Sequence, residues 1–104
     1  MKAIGKNING EEVEFKISNN TVYCNNNKLT ELVLPNGVEK VSCYNNQLTE
    51  LHLPKGVENV YCYKNPIAEL TLPKTIKYAY LPLNCNVLNI DDFKNNDEVE
   101  IYFI

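Results

Sequence analysis

The chain carries a 19-residue repeat, and this repeat restricts its possible folds more than any other feature. Several residue types recur at that spacing, in the columns Val22, Val41, Val60; Cys24, Cys43, Cys62; Asn27, Asn46, Asn65, Asn84; Leu29, Leu48, Ile67; Leu32, Leu51, Leu70; Leu34, Leu53, Leu72; and Pro35, Pro54, Pro73. A fixed period of about 20 residues is typical of a solenoid, whose repeats stack as coils around a shared core. We therefore predict one mostly β domain of 104 residues, with the repeats over 22–84.

Each repeat contains two short stretches in which apolar and polar residues alternate. Residues 41–43 read Val-Ser-Cys and residues 51–53 read Leu-His-Leu, so the first and third members of each stretch face inward. Proline, which cannot donate a ladder hydrogen bond, ends the second stretch, and Gly37 and Gly56 follow where the chain bends back. The pattern predicts two short strands per coil and two parallel sheets around a thin core.

The residues before the repeat predict an N-terminal cap over 1–21. Asn9-Gly10 is a strong hairpin signal, and Val13, Phe15 and Ile17 then alternate with polar residues. The first coil of a solenoid would otherwise expose its core, so we expect a β-hairpin to cover it.

The residues after the repeat predict a C-terminal cap over 85–104. The repeat decays beyond residue 84, and a polar turn follows. Alternation then returns near the end of the chain. We expect a closing strand there, with Val99, Ile101 and Phe103 facing the last coil.

The cysteine and asparagine columns predict a structural ladder inside the coils. Cys24, Cys43 and Cys62 would stack about 4.8 Å apart with parallel side chains, which suits free thiols in a core better than disulfides. Buried amides in the column Asn27, Asn46, Asn65 and Asn84 could bond the backbone of neighbouring coils. We therefore expect Asn46→Ala to be strongly destabilising.

The amino-acid composition disfavours several classes of partner and site. The formal net charge is −3 and the ten basic residues are all lysine, which disfavours a nucleic-acid partner. No apolar run reaches the ~18 residues of a membrane span. The start of the chain lacks the apolar region of a signal peptide, so we expect a cytoplasmic protein, although a secreted or host-delivered protein without its leader would read the same. With one histidine and no close cysteine pair, we expect no metal site and no cofactor.

The repeat resembles the leucine-rich repeat. Residues 38–48 place Val38, Val41, Cys43, Asn46 and Leu48 on the pattern L-x-x-L-x-L-x-x-N-x-L, and residues 57–67 match it again. The run over 44–51 is similar to the short bacterial form. The resemblance implies a solenoid that binds other proteins through one strand face and is not an enzyme.

Tyrosines mark a candidate binding face. Strand alternation places six of the seven on or beside the outer side of the first sheet, namely Tyr23, Tyr44, Tyr61, Tyr63, Tyr78 and Tyr80. Tyrosine is enriched at protein interfaces, but it also suits exposed strand positions, where it packs across strands. We predict a protein partner of unknown identity for a monomer or weak homo-oligomer. A structural, self-associating unit and a carbohydrate-binding module stay open as alternatives. His52 has no partners spaced for catalysis, so we predict no catalytic residue.

Overall fold

The computed structural model describes residues 1–104, which form a β-solenoid of about four turns measuring 42 × 29 × 16 Å. Ten strands and one helical turn follow in chain order: β1 (Lys2–Asn7), β2 (Glu12–Lys16), β3 (Thr21–Tyr23), β4 (Leu29–Val33), β5 (Lys40–Ser42), β6 (Asn59–Tyr61), β7 (Glu69–Leu70), β8 (Tyr78–Leu81), β9 (Asn86–Val87), a 3-10 turn (Ile90–Phe93) and β10 (Glu100–Phe103). The predicted solenoid of parallel strands with strand caps is confirmed.

The main sheet consists of five parallel strands in the order β3, β5, β6, β8, β10. Its register places the valine column in one file, which continues through Ala79 to Ile101. Val22, Val41 and Val60 are fully buried in this file. Burying a valine side chain contributes about 1.5–3 kcal/mol, so the file holds successive coils in register.

The opposite side of the coils is less regular than the predicted second parallel sheet. Only β7 and β9 pair there in parallel, and residues 51–53 lie in no strand although Leu51 and Leu53 are buried. The amide N–H of Leu48 is bonded to a side-chain oxygen of the next coil rather than to a backbone carbonyl. On this side a side-chain acceptor replaces some of the backbone hydrogen bonds between neighbouring strands, so the strands are shorter.

The N-terminal hairpin is present as predicted. β1 pairs antiparallel with β2, and Gly10 has a left-handed φ of 77° at the turn between them. β1 also pairs antiparallel with β4 in the first coil. Gly5 is needed at this contact because a Cβ there would lie 2.8 Å from Leu29 Cδ2 and 3.2 Å from the Glu31 carbonyl oxygen.

The corners of the coils have a repeated backbone conformation. Asn26, Asn45 and Lys64 lie 19 residues apart and have left-handed φ values of 58°, 58° and 56°. Gly37 and Gly56 occupy the second corner with φ values of 98° and 97°, which confirms the predicted bends. Leu83 is next in the first column but does not adopt a left-handed φ, so the last corner differs from the others.

The C-terminal segment ends in a strand, as predicted, and this strand adds to the main sheet. β10 pairs in parallel with β8, and the 3-10 turn inserts Phe93 into the core. Val99 and Ile101 pack against the core only half-buried, and Phe103 is 38% exposed. Phe15 and Ile17 of the N-terminal cap are likewise only half-buried, so both caps leave some apolar surface exposed.

Candidate interaction face

The outer side of the main sheet carries two rows of tyrosines that run across the strands. The register aligns Tyr23, Ser42, Tyr61, Tyr80 and Tyr102 in the first row. Tyr80 stacks on both ring neighbours, with centroid separations of 5.1 Å to Tyr61 and 5.0 Å to Tyr102. These separations follow from the ~4.8 Å strand spacing, because equivalent side chains on adjacent parallel strands lie one strand apart.

The second row lies two residues further along each strand. In it Tyr44 and Tyr63 stack nearly parallel, with centroids 4.7 Å apart and ring planes 8° apart. Burial and the neighbouring Tyr44 raise the pKa of Tyr63. Like other tyrosine hydroxyls at neutral pH, that of Tyr63 is protonated and can donate a hydrogen bond.

Ser42 interrupts the first row, and a lysine fills the gap. Lys40 Nζ lies 5.7 Å from the Tyr23 ring centroid and 5.5 Å from that of Tyr61, within cation–π range of both. Ser42 is buried, and its hydroxyl donates to Asn25 Oδ1 over 2.9 Å. The face thus has a positive charge between two of its aromatic rings.

A third row on the same side begins with Thr21 and continues through Lys40, Asn59, Tyr78 and Glu100. Asn59 Oδ1 is buried but accepts no hydrogen bond. The Tyr102 hydroxyl donates to the Glu100 carboxylate over 3.0 Å, and this bond raises the pKa of Tyr102.

Four of the six predicted tyrosines join the stacks, namely Tyr44, Tyr61, Tyr63 and Tyr80. Tyr23 is 63% exposed and approaches Tyr61 only through Lys40, and Tyr78 lies in the third row. The sequence prediction missed Tyr102, which β10 adds to the first row. The alternation of Ile101, Tyr102 and Phe103 was the signal that could have revealed it.

Two members of the asparagine column form the predicted ladder. Asn46 Oδ1 accepts hydrogen bonds from the backbone N–H of Asn27 (2.9 Å) and of Leu29 (3.0 Å) in the preceding coil. Its amide donates to the carbonyls of Cys24 and Cys43, both at 3.0 Å. Asn46 is 4% exposed, so these bonds satisfy backbone groups that water cannot reach.

Asn65 repeats this arrangement one coil later. Its Oδ1 accepts from the Leu48 N–H over 3.0 Å. Its amide donates to the carbonyls of Cys43 and Cys62 over 3.0 and 3.1 Å. Asn46 and Asn65 therefore each tie one coil to the coil before it.

The terminal members of the column do not have this role, which corrects the prediction. Asn27 is exposed, and its amide donates only to the Asn25 carbonyl over 2.7 Å, because the hairpin offers no preceding coil. Asn84 is also exposed, since its corner lacks the left-handed residue that turns the other amides inward. Asn89 lies outside the column and bonds both backbone groups of Leu72, at 3.0 and 2.8 Å.

All four cysteines are buried free thiols: Cys24, Cys43 and Cys62 form one column, and Cys85 lies outside it. Burial raises the pKa of Cys24 to about 12 and raises the pKa of Cys43 and Cys62 as well. These thiols are therefore neutral, small apolar groups at physiological pH.

The fold and this face define the chain as a β-solenoid with an aromatic outer sheet. No protein-family model, curated protein or solved structure matches it. The only helical element is the four-residue 3-10 turn, so no helix here could cross a membrane.

Proposed function

We propose that this protein is a leucine-rich-repeat-like module that binds a partner protein through the tyrosine-lined side of its main sheet. It acts by binding and carries no catalytic role. The observation that supports the proposal is the continuous stack of Tyr61, Tyr80 and Tyr102 beside the Tyr44–Tyr63 pair. The rings at the ends of these stacks are partly accessible on one side of the sheet.

Stacking prepares these side chains for binding. A free surface tyrosine loses rotamer freedom when a partner fixes it, at a cost of about 0.5–1.5 kcal/mol for an immobilised side chain. Tyr80 is held between two rings before any partner arrives, so this cost is largely met in the free protein. Rigid aromatic anchors of this kind are common at the centres of protein interfaces.

The chemistry of the face indicates what the partner offers. Stacked rings direct their edges and hydroxyls outward, and Lys40 adds a positive charge between Tyr23 and Tyr61. A protein segment that presents carbonyl or carboxylate oxygens would match both groups.

The same stacking weighs against a carbohydrate-binding role. A sugar platform needs the open face of an aromatic ring. Both faces of Tyr80 are covered by Tyr61 and Tyr102, and one face of Tyr63 is covered by Tyr44. The rings inside the stacks therefore offer their edges and not their faces. Ring edges suit a protein surface better than a sugar ring.

The proposal is tested with a double substitution on the face. The wild-type protein is used to isolate a partner, and the affinity for the purified partner is then measured by calorimetry. We expect Tyr61→Ala with Tyr63→Ala to weaken binding at least ~10-fold, as for the removal of interface anchors.

The matched control is Glu50→Ala with His52→Ala, two exposed positions on the opposite side of the coil. This control should bind like the wild type. If the tyrosine variant keeps its fold by circular dichroism and binds as tightly as the control, the tyrosine face is not the site.

A further inference from the structure

The two ends of the main sheet differ in whether their outer strand edge is closed. At the N-terminal end, Thr21 N–H donates to the Ser18 carbonyl over 3.0 Å, and Ser18 N–H donates to the Thr21 carbonyl over 3.1 Å. This bridge closes the edge of β3 at Thr21, and the hairpin covers the first coil. At the C-terminal end, β10 is the last strand of the sheet, and no strand pairs with its outer edge.

The open edge of β10 presents two residues. Glu100 N–H donates to the Lys77 carbonyl over 2.8 Å and Ile104 N–H to the Leu81 carbonyl over 2.9 Å, so even-numbered residues direct their backbone groups toward β8. Alternate residues of a strand direct these groups to opposite sides. The N–H and C=O groups of Ile101 and Phe103 therefore point away from the sheet.

Apolar side chains surround this edge. Phe103 is 38% exposed, Ile104 is 54% exposed and Leu83 is 67% exposed. β2, an edge strand of the N-terminal sheet, carries the alternating charges Glu12, Glu14 and Lys16, which discourage pairing. Within β10 only Glu100 carries a charge, so its edge is less protected than that of β2.

We propose that two copies of this chain pair antiparallel through β10, with Tyr102 of each copy opposite Tyr102 of the other. The free residues Ile101 and Phe103 flank Tyr102 symmetrically, so each edge is complementary to itself under a two-fold axis. Ile101 of one copy then meets Phe103 of the second copy as a hydrogen-bonded pair, and the two such pairs make four backbone bonds. Aromatic and β-branched side chains pair favourably across antiparallel strands.

The charges fit this register. Each Glu100 lies at the start of its strand, and antiparallel pairing centred on Tyr102 separates the two carboxylate-bearing residues by four positions along the strand, or about 14 Å. That separation exceeds the ~8 Å Debye length at physiological ionic strength, so the like charges hardly repel. The stack of Tyr61, Tyr80 and Tyr102 would continue into its counterpart in the second copy.

This dimer does not depend on the proposed function. Pairing extends the main sheet sideways and leaves both tyrosine faces open. Loss of dimerisation would therefore leave partner binding intact, and loss of partner binding would leave the dimer intact.

The first test compares the wild type with Phe103→Pro by sedimentation velocity from about 10 µM to about 1 mM, a range that spans weak dissociation constants. Proline removes the outward N–H of residue 103, which has no partner within the chain, and edge strands tolerate proline there. We expect wild-type dimers at the higher concentrations and a dissociation constant at least ~10-fold higher for the variant, which should stay folded by circular dichroism. A wild type that stays monomeric throughout, or a folded variant that dimerises equally well, would overturn the proposal.

The second test fixes the register. Tyr102→Cys should form an intermolecular disulfide under mild oxidation, because opposite residues of a non-hydrogen-bonded antiparallel pair lie about 4.5 Å apart at Cα. Tyr80→Cys is the matched control, one strand further from the two-fold axis on the same face. We expect roughly tenfold more covalent dimer from Tyr102→Cys than from Tyr80→Cys. Equal yields, or no covalent dimer from Tyr102→Cys, would contradict this pairing.

Discussion

The middle and the ends of the asparagine column carry the same side chain in the same register, yet only the middle members are buried. Asn46 and Asn65 each bond the backbone of the preceding coil, whereas Asn27 and Asn84 face solvent. Asn27 has a hairpin in place of a preceding coil. Asn84 follows Leu83, which does not adopt the left-handed corner. A repeated residue therefore acts as a ladder only where both the neighbouring coil and the corner are also repeated.

The largest expected effect separates the middle of the column from its ends. We expect Asn46→Ala to lower the free energy of unfolding by roughly 3–4 kcal/mol, because it leaves several buried backbone groups without partners. Asn27→Ala, at an exposed position, should cost no more than about 0.5 kcal/mol. Denaturant unfolding of both variants measures the difference.

Asn65→Ala and Asn84→Ala provide the matched pair at the other end of the repeat. Asn65→Ala should resemble Asn46→Ala, and Asn84→Ala should resemble the wild type. Similar losses at all four positions would show that burial does not distinguish them.

Because the cysteine thiols are buried, we expect the free energy of unfolding to fall at alkaline pH. Below pH about 8.5 a cysteine keeps its proton in both states, so stability is at its full value. As the pH rises toward about 12, the pKa of Cys24 in the folded state, the unfolded chain ionises while the folded chain does not. The unfolded state is favoured by about 1.4 kcal/mol per pH unit for each such thiol across this interval.

Cys24→Ala tests this pH dependence. The variant should lose stability less steeply with pH than the wild type, by about 1.4 kcal/mol per pH unit. Cys85→Ala should change the slope less, because Cys85 lies less deeply buried in the last coil. Parallel stability curves for Cys24→Ala and the wild type would exclude the thiol as the cause.

A smaller difference is expected between stacked and unstacked tyrosines. Tyr61→Ala removes a half-buried ring that stacks on Tyr80 and should cost about 1–1.5 kcal/mol. Tyr23→Ala removes an exposed ring outside the stack and should cost about 0.5 kcal/mol or less. Thermal unfolding monitored by circular dichroism distinguishes the two, and equal losses would show that stacking adds nothing.

The smallest expected effect concerns the corner residue. Lys64 has a left-handed φ of 56° at a position where the two preceding coils use asparagine. Asparagine tolerates this conformation better than lysine, so Lys64→Asn should raise the free energy of unfolding by about 0.5 kcal/mol. The reverse change, Asn45→Lys, should lower it by a similar amount in the same assay.

The register of the main sheet could be predicted because the period of 19 residues places Val41 and Val60 in one file. Tyr102 was missed because it follows Tyr80 by 22 residues, outside that period, with the 3-10 turn inserted between them. The exposure of Asn84 could not be predicted because it depends on the φ of Leu83, which the repeat pattern does not determine.

The most direct test of the stacked coils is amide hydrogen exchange at Leu29 and Leu48, measured by NMR on the wild-type protein. Each of these amides donates to an asparagine side chain of the next coil, at 3.0 Å in both cases. If the coils stack as described, both amides should exchange as slowly as those of the central strand β6. Exchange at the rate of exposed loop amides would contradict the buried asparagine ladder.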